Sequence, residues 1–287
     1  MSFLRTEFDN LLGSRSTPLM RLIVVNIIIF IIANIWVNIP GGEPIFYDYF
    51  ALPSSPIKLL HKPWTLFTYM FVHVGVGHVL SNMMWLYFVG RIFTDFVRGY
   101  RLFYTYVLGG LAGGLLYFAF ANIIGEHGNM IGASAGVMAI LVATAVLVPD
   151  YLVYLFIIGE VRLKYVVFFA FLLTSIVDFS VNSGGKVSHI GGALYGILFM
   201  LQYKKGTDFT EIVHNFFTKI KSLLTFAKDG RKLRKAGGSG IKQNKKAAVD
   251  KQKKIDSILD KISHSGYDAL TKEEKDFLFK SSKGGDA

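Results

Sequence analysis

Apolar residues in this chain come in long blocks separated by short polar stretches. The blocks fall at about residues 22–38, 74–96, 102–124, 132–148, 165–179 and 187–203. A helix needs about 20 apolar residues to cross a bilayer, and somewhat fewer when it packs inside a bundle. The pattern therefore predicts an all-α, polytopic membrane protein with a bundle of six transmembrane helices. The fifth block is short for a span.

Six spans put both termini on one side, and Lys and Arg decide which side. Arg5, Arg15 and Arg21 precede the first block, and Arg98 and Arg101 lie between the second and third. Arg162 and Lys164 precede the fifth, and a lysine-rich tail follows the sixth. The opposite loops hold Lys58, Lys62 and Lys186 among Glu43, Asp48, Glu126 and Asp178. Both termini are expected in the cytoplasm. The first block lacks a small-residue cleavage site after it, so it is expected to stay as a helix.

Polar signals divide the chain further. Residues 1–19 form a short cytoplasmic segment, and residues 20–203 the membrane domain. The loop over residues 40–72 contains Ile45-Phe-Tyr-Asp-Tyr-Phe50, prolines at 53, 56 and 63, and Trp64. Aromatics mixed with prolines predict a folded segment at the membrane interface. Residues 204–253 carry a basic amphipathic pattern (Ile212, Val213, Phe216, Phe217, Ile220, Leu223, Leu224), then a Lys/Gly-rich linker over 229–250. Residues 254–287 hold two helical patterns, Ile255/Ile258/Leu259/Ile262 and Phe277/Leu278, separated by Ser265-Gly266. Thr271-x-x-Glu274 is a candidate capping box.

Composition sharpens this. The chain is 52% hydrophobic with a net charge of +11 concentrated in the tail, and its mean hydropathy is +0.42. A basic tail beside a membrane domain fits anionic lipid better than nucleic acid. Cysteine is absent, which removes disulfides and thiolate metal sites.

The candidate chemistry lies inside the apolar blocks. Gly132-Ala-Ser134-Ala-Gly136 opens the fourth and His189 lies near the start of the sixth. Both spans begin on the same side, so the two residues share a depth. Small residues at Gly132/Gly136 and Gly192/Gly196 are expected to let those two helices approach closely. His189 could then take the Ser134 proton as general base and return it to the leaving amine. His78 and Asn82 stand about 40° apart on a helix and share a face. With the Ser134 backbone N–H they could hold the oxyanion of a tetrahedral intermediate. Gly75 and Gly77 break helical continuity, so His73 is expected to pin the long loop. Asp178 could orient His189, but reads as a loop charge, which leaves a Ser–His dyad.

Three other readings fit less well. The G-x-S-x-G elbow of soluble hydrolases needs a strand and a parallel sheet, where this chain offers helices. A metal on His73, His78 and His189 would lack a carboxylate and leave Asn82 unused. Gly109-Gly110 and Gly113-Gly114 suggest close helix packing alone. No cofactor is called for.

Together, His73-x4-His78-x3-Asn82, Gly132-x-Ser134 and His189-x-x-Gly192-x-x-x-Gly196 resemble the rhomboid family of intramembrane serine proteases. Pro63-Trp64-Thr-Leu-Phe-Thr-Tyr-Met-Phe-Val-His73 looks like the family's lead into the second span. The resemblance covers about residues 18–203. It implies a six-helix rhomboid-like bundle with Ser134 as nucleophile, His189 as base, and His78, Asn82 and the Ser134 backbone around the oxyanion. Gly132 is implied to permit close packing beside the nucleophile. Members often carry an aromatic residue four positions after the serine, where its ring stacks on the histidine; here that position is Met138. The implied substrates are membrane-anchored proteins, cut within or beside their transmembrane segment. The C-terminal unit resembles an extension seen on some bacterial members, which points to a bacterial inner membrane. The competing expectations are a rhomboid-like protein that binds membrane clients with little or no proteolysis, and a transporter or channel. A channel or transporter would predict charges across several spans, and these are scarce.

Overall fold

A computed structural model of the chain describes residues 17–97, 99–125, 128–177, 183–235, 254–258, 260–262 and 270–282. Arg5, Arg15, Arg98, Glu126, Asp178, Phe179, the linker beyond residue 235, Leu259 and Ser265-Gly266 lie outside the described residues. The chain divides into two compact units, Met1–Phe217 and Thr218–Ala287.

The first unit begins with helix α1 (Pro18–Val37). Pro18 sits at the first helical position, and Thr17 accepts a hydrogen bond from the Met20 N–H, so entry and cap are both set locally. This helix is apolar all round: Leu19, Leu22 and Ile23 are buried while Ile31, Ile32 and Ile35 are exposed. A helix of that kind suits a membrane.

The long loop is folded, as its aromatics and prolines suggest. It carries α2 (Gly42–Phe50), α3 (Pro56–His61), α4 (Thr65–Thr68) and a 3-10 turn at Tyr69–Phe71. Phe46 packs edge-on against Trp36, Lys62 pairs with Asp48, and the Trp64 indole donates to the Tyr49 carbonyl at 2.9 Å. Strand β1 (Leu52–Pro53) pairs antiparallel with β2 (Asn129–Met130), matching Leu52 with Met130. This pair ties the loop to the segment that leads into Ser134.

Five further helices complete the unit: α5 (Val76–Phe96), α6 (Arg101–Ile124), α7 (Ser134–Leu147), α8 (Leu163–Ser175) and α9 (Ser183–Lys204). With α1 they stand where the six apolar blocks stand. Among the described helices, only α1 and α6 are long and apolar enough to cross a membrane by length and composition alone. The physical reason differs among the rest. α5 and α9 carry the polar site residues, which lower their hydropathy. α7 and α8 have 14 and 13 residues, so at 1.5 Å per residue each is only about 20 Å long. α7 can be short because neighbours enclose it: Ala133 and every residue from Ala135 to Leu141 are buried.

Helices α6, α7 and α9 pack most extensively on one another, and glycines set how closely. A Cβ added at Gly113 would lie 2.5 Å from the Ala135 Cβ and 2.6 Å from the Ser188 carbonyl oxygen. Gly113 therefore admits α7 and α9 together against α6. A Cβ at Gly192 would lie 2.1 Å from the Ala135 oxygen, and one at Gly196 2.5 Å from the Ala139 oxygen. This corrects one expectation. On the α7 side the contact with α9 is made by Ala135 and Ala139, because Gly136 turns toward Tyr106 of α6.

A second sheet was absent from the sequence reading. Strands β3 (Leu152–Leu155) and β4 (Gly159–Arg162) form a hairpin between α7 and α8. After α9, helix α10 (Phe209–Lys235) continues beyond Gly230 into the stretch expected to be linker. Asp208 caps it by accepting from the N–H groups of Thr210 and Glu211. Its other oxygen receives Arg101 Nε at 2.6 Å, and His214 stacks on Tyr100 with centroids 3.7 Å apart.

In the second unit, residues 254–258 and 260–262 are helical, and a helix follows at Lys272–Ser282. The capping box forms in both directions: Thr271 N–H donates to Glu274, and Glu274 N–H to Thr271 Oγ1. Ile258 and Leu270 are buried.

Candidate active site

Ser134 is the first residue of α7. The N–H groups of a helix's first turn have no acceptor within the helix, so they are available to an anion at this position. The backbone before Ser134 is fixed from two sides. Gly132 N–H donates to the Tyr69 carbonyl at 3.0 Å, and Ala133 N–H to His73 Nε2 at 3.4 Å. His73 lies outside α5, which starts after Gly75 at φ +75°. Its ring thus ties the loop to the residue preceding Ser134.

Gly132 has φ +121°, a conformation that glycine adopts without strain. An added Cβ would come within 3.0 Å of His78 Nε2 and 3.8 Å of Ser134 Oγ. The missing side chain leaves room for the His78 ring, with the serine hydroxyl close by. His78 packs edge-on against His73, with centroids 5.1 Å apart.

A cavity of about 500 Å³ opens here, and Ser134, His189, His78, Asn82 and Met138 all line it. Spans far apart in sequence bring these residues together. Asn82 donates one amide hydrogen to the His78 carbonyl at 2.9 Å, leaving the second N–H of its amide for the cavity. Met138 is buried beside them. Gly192 and Gly196 are not among its lining residues; they set the spacing of α7 and α9.

His189 is oriented by a group that sequence reasoning missed. Its Nδ1 lies 3.2 Å from the Thr174 carbonyl oxygen, near the end of α8. A carbonyl only accepts, so Nδ1 carries the proton and Nε2 keeps a lone pair. Nothing in a sequence announces a backbone carbonyl; only the crossing of α8 and α9 supplies it. Ser134 and His189 share the cavity without a hydrogen bond between them. Such contacts are often long until substrate arrives.

A family model for the Rhomboid domain matches residues 60–205, just over half of the chain. The chain belongs to the rhomboid family. Among relatives of this rhomboid protein, RHOMBOID-like protein 1 of Arabidopsis thaliana is 28% identical over 158 residues, covering 52% of this chain and 36% of the relative. Rhomboid-related protein 1 of Caenorhabditis elegans is 27% identical over 154 residues, covering 50% and 40%. The human mitochondrial presenilin-associated rhomboid-like protein is 22% identical over 191 residues, covering 62% and 46%. The alignments thus span less than half of each relative. Residues 243–284 match a family of unknown function. The matched rhomboid domain takes in α5 to α9 and every candidate site residue, and the family is membrane-embedded.

Proposed function

We propose that this rhomboid-family protein is an intramembrane serine endopeptidase that cuts membrane-anchored proteins within or beside their transmembrane segments. The observation that carries the proposal is the shared cavity: Ser134 and His189 line it with His78 and Asn82, and Thr174 holds His189 in the tautomer a base needs. In the reaction, Ser134 Oγ attacks the scissile carbonyl carbon and its proton passes to His189 Nε2. The oxyanion is met by the Ser134 N–H, the remaining Asn82 N–H and His78. His189 then protonates the leaving amine, and water, activated by the same imidazole, releases the acyl group from the serine. Substrate backbone must be unwound to reach a serine enclosed by helices, which favours substrates with small or helix-weak residues at the cut.

The Lys and Arg bias of the loops and tail supports a matching orientation. We place the protein in a bacterial inner membrane with both termini cytoplasmic and the basic tail on anionic lipid.

Cleavage of a single-span substrate in liposomes tests the chemistry. Ser134→Ala and His189→Ala should each lower turnover by about 10³-fold or more. Cleavage at wild-type rate by both variants would sink the dyad. Intact substrate that co-purifies with wild type and is never cut would favour the client-binding reading.

A further inference from the structure

Turns in water are built from Gly, Asn, Asp, Ser and Pro, for reasons of backbone freedom and local hydrogen bonding. The β3–β4 hairpin turns instead on Phe156-Ile157-Ile158, closed by Gly159 at φ +88°. Phe156 is 94% exposed and Ile157 92% exposed. Three consecutive large apolar side chains presented this way need an apolar environment.

The rest of the hairpin says which one. Its inner face is attached to the bundle: Val153 is buried in the main core, and Leu155 packs on that core. The hairpin therefore lies against the membrane helices. Its outer face is split by strand. Leu152 and Tyr154 of β3 are exposed, and their cross-strand partners on β4 are Arg162 and Glu160. One edge is thus apolar and continuous with the tip, and the other is charged. Where the hairpin meets the helices, Asp150 binds both Lys164 and Arg162, and Tyr151 packs edge-on against Phe96. Basic and aromatic residues of this kind collect at the headgroup level of a bilayer. A four-residue strand extends about 13 Å, so the tip cannot leave the neighbourhood of the membrane in which its flanking helices sit.

We propose that the β3–β4 hairpin is a second membrane-binding element, lying along the interface at the ends of α7 and α8 with Phe156–Ile158 dipped among the acyl chains of that leaflet. The occupant of the apolar tip is lipid, and Glu160 and Arg162 face water. Because α8 supplies the carbonyl that orients His189, the hairpin would anchor the near end of that helix to the bilayer. This inference does not depend on proteolysis.

The chain has no cysteine, so single labels can be placed cleanly. Ile157→Cys and Glu160→Cys of the full-length protein, each carrying an environment-sensitive fluorophore, are reconstituted into phosphatidylcholine vesicles with and without brominated acyl chains. The label at 157 should be quenched by brominated lipid, emit to the blue of the label at 160, and show a several-fold lower iodide quenching constant. Equal iodide access at the two positions overturns the proposal. So does a label at 157 shielded from both iodide and brominated lipid, since protein, such as a second copy, would then cover the tip. Both sites are exposed, so the labels leave the fold intact.

Discussion

Two residues show how narrowly the site is built. Gly132 gives space to the His78 ring next to Ser134, and its φ of +121° disfavours any side chain. Gly132→Ala should therefore abolish most cleavage, with a modest fall in melting temperature, measured by substrate turnover and a thermal scan on the same sample. His73 acts through the backbone: without its acceptor, Ala133 N–H is left buried and unpaired, at a cost of about 1–3 kcal/mol. His73→Ala should lower both stability and turnover. If turnover stays at wild type while stability falls, the loop does not set the position of Ser134. Other residues were legible as types and spacings: the candidate serine, two histidines and asparagine line one cavity. The Thr174 carbonyl was not legible, because every residue has one. With Met138 where members often have a stacking aromatic, it is the hydrogen bond to that carbonyl that orients His189.

Helices are placed by the small residues at their crossings. Gly113→Ala would drive a methyl group into Ala135 and the Ser188 carbonyl at once. Over-packing of this kind costs about 1–3 kcal/mol, so a lower melting temperature and weaker cleavage should appear together. The sequence marked Gly113, Gly192 and Gly196 as packing positions, yet it assigned the α7 side of the contact to Gly132 and Gly136. A G-x-x-x-G pattern says that a backbone can be approached; it does not say from which side. The β3–β4 hairpin escaped notice for a related reason. Its first strand, Leu152-Val-Tyr-Leu155, runs unbroken into an apolar turn, so neither a polar–apolar alternation nor the usual turn residues mark it. The capping box at Thr271 was legible because both partners lie within one turn. Thr271→Ala should reduce the helicity of the second unit, read by circular dichroism against the parent chain.

At the scale of the whole molecule, the first unit reaches past the last apolar block because Asp208 joins the start of α10 to Arg101. Burial acts to raise the Asp208 pKa, but hydrogen bonds from Thr210, Arg101 and Glu211 outweigh it, and the net shift is downward. A carboxylate held below its unfolded value adds stability that is complete above the ordinary carboxylate range. That stability is lost as pH falls through the lowered folded value. Asp208→Asn should therefore destabilise the protein at neutral pH by about 1–3 kcal/mol, at the lower end because Arg101 is 25% exposed and partly screened. The difference from wild type should shrink in acid, as thermal scans across pH would show. The proposed orientation has its own check. Lys58→Cys should react with an impermeant thiol reagent added outside intact cells, and Lys205→Cys only after permeabilisation; the opposite pattern would invert the topology.

The sequence by itself determined the helical class, the places of six helices, the folded character of the long loop and the identities of the candidate nucleophile and base. These are local matters of hydropathy, capping and residue chemistry. Tertiary structure alone decided which faces meet across α6, α7 and α9. It also decided which carbonyl fixes the His189 tautomer, that the His78 ring packs on Gly132, and that α10 is tied back to Arg101. Those depend on distances between segments far apart in the chain, and such distances are set by close packing, which no single segment encodes.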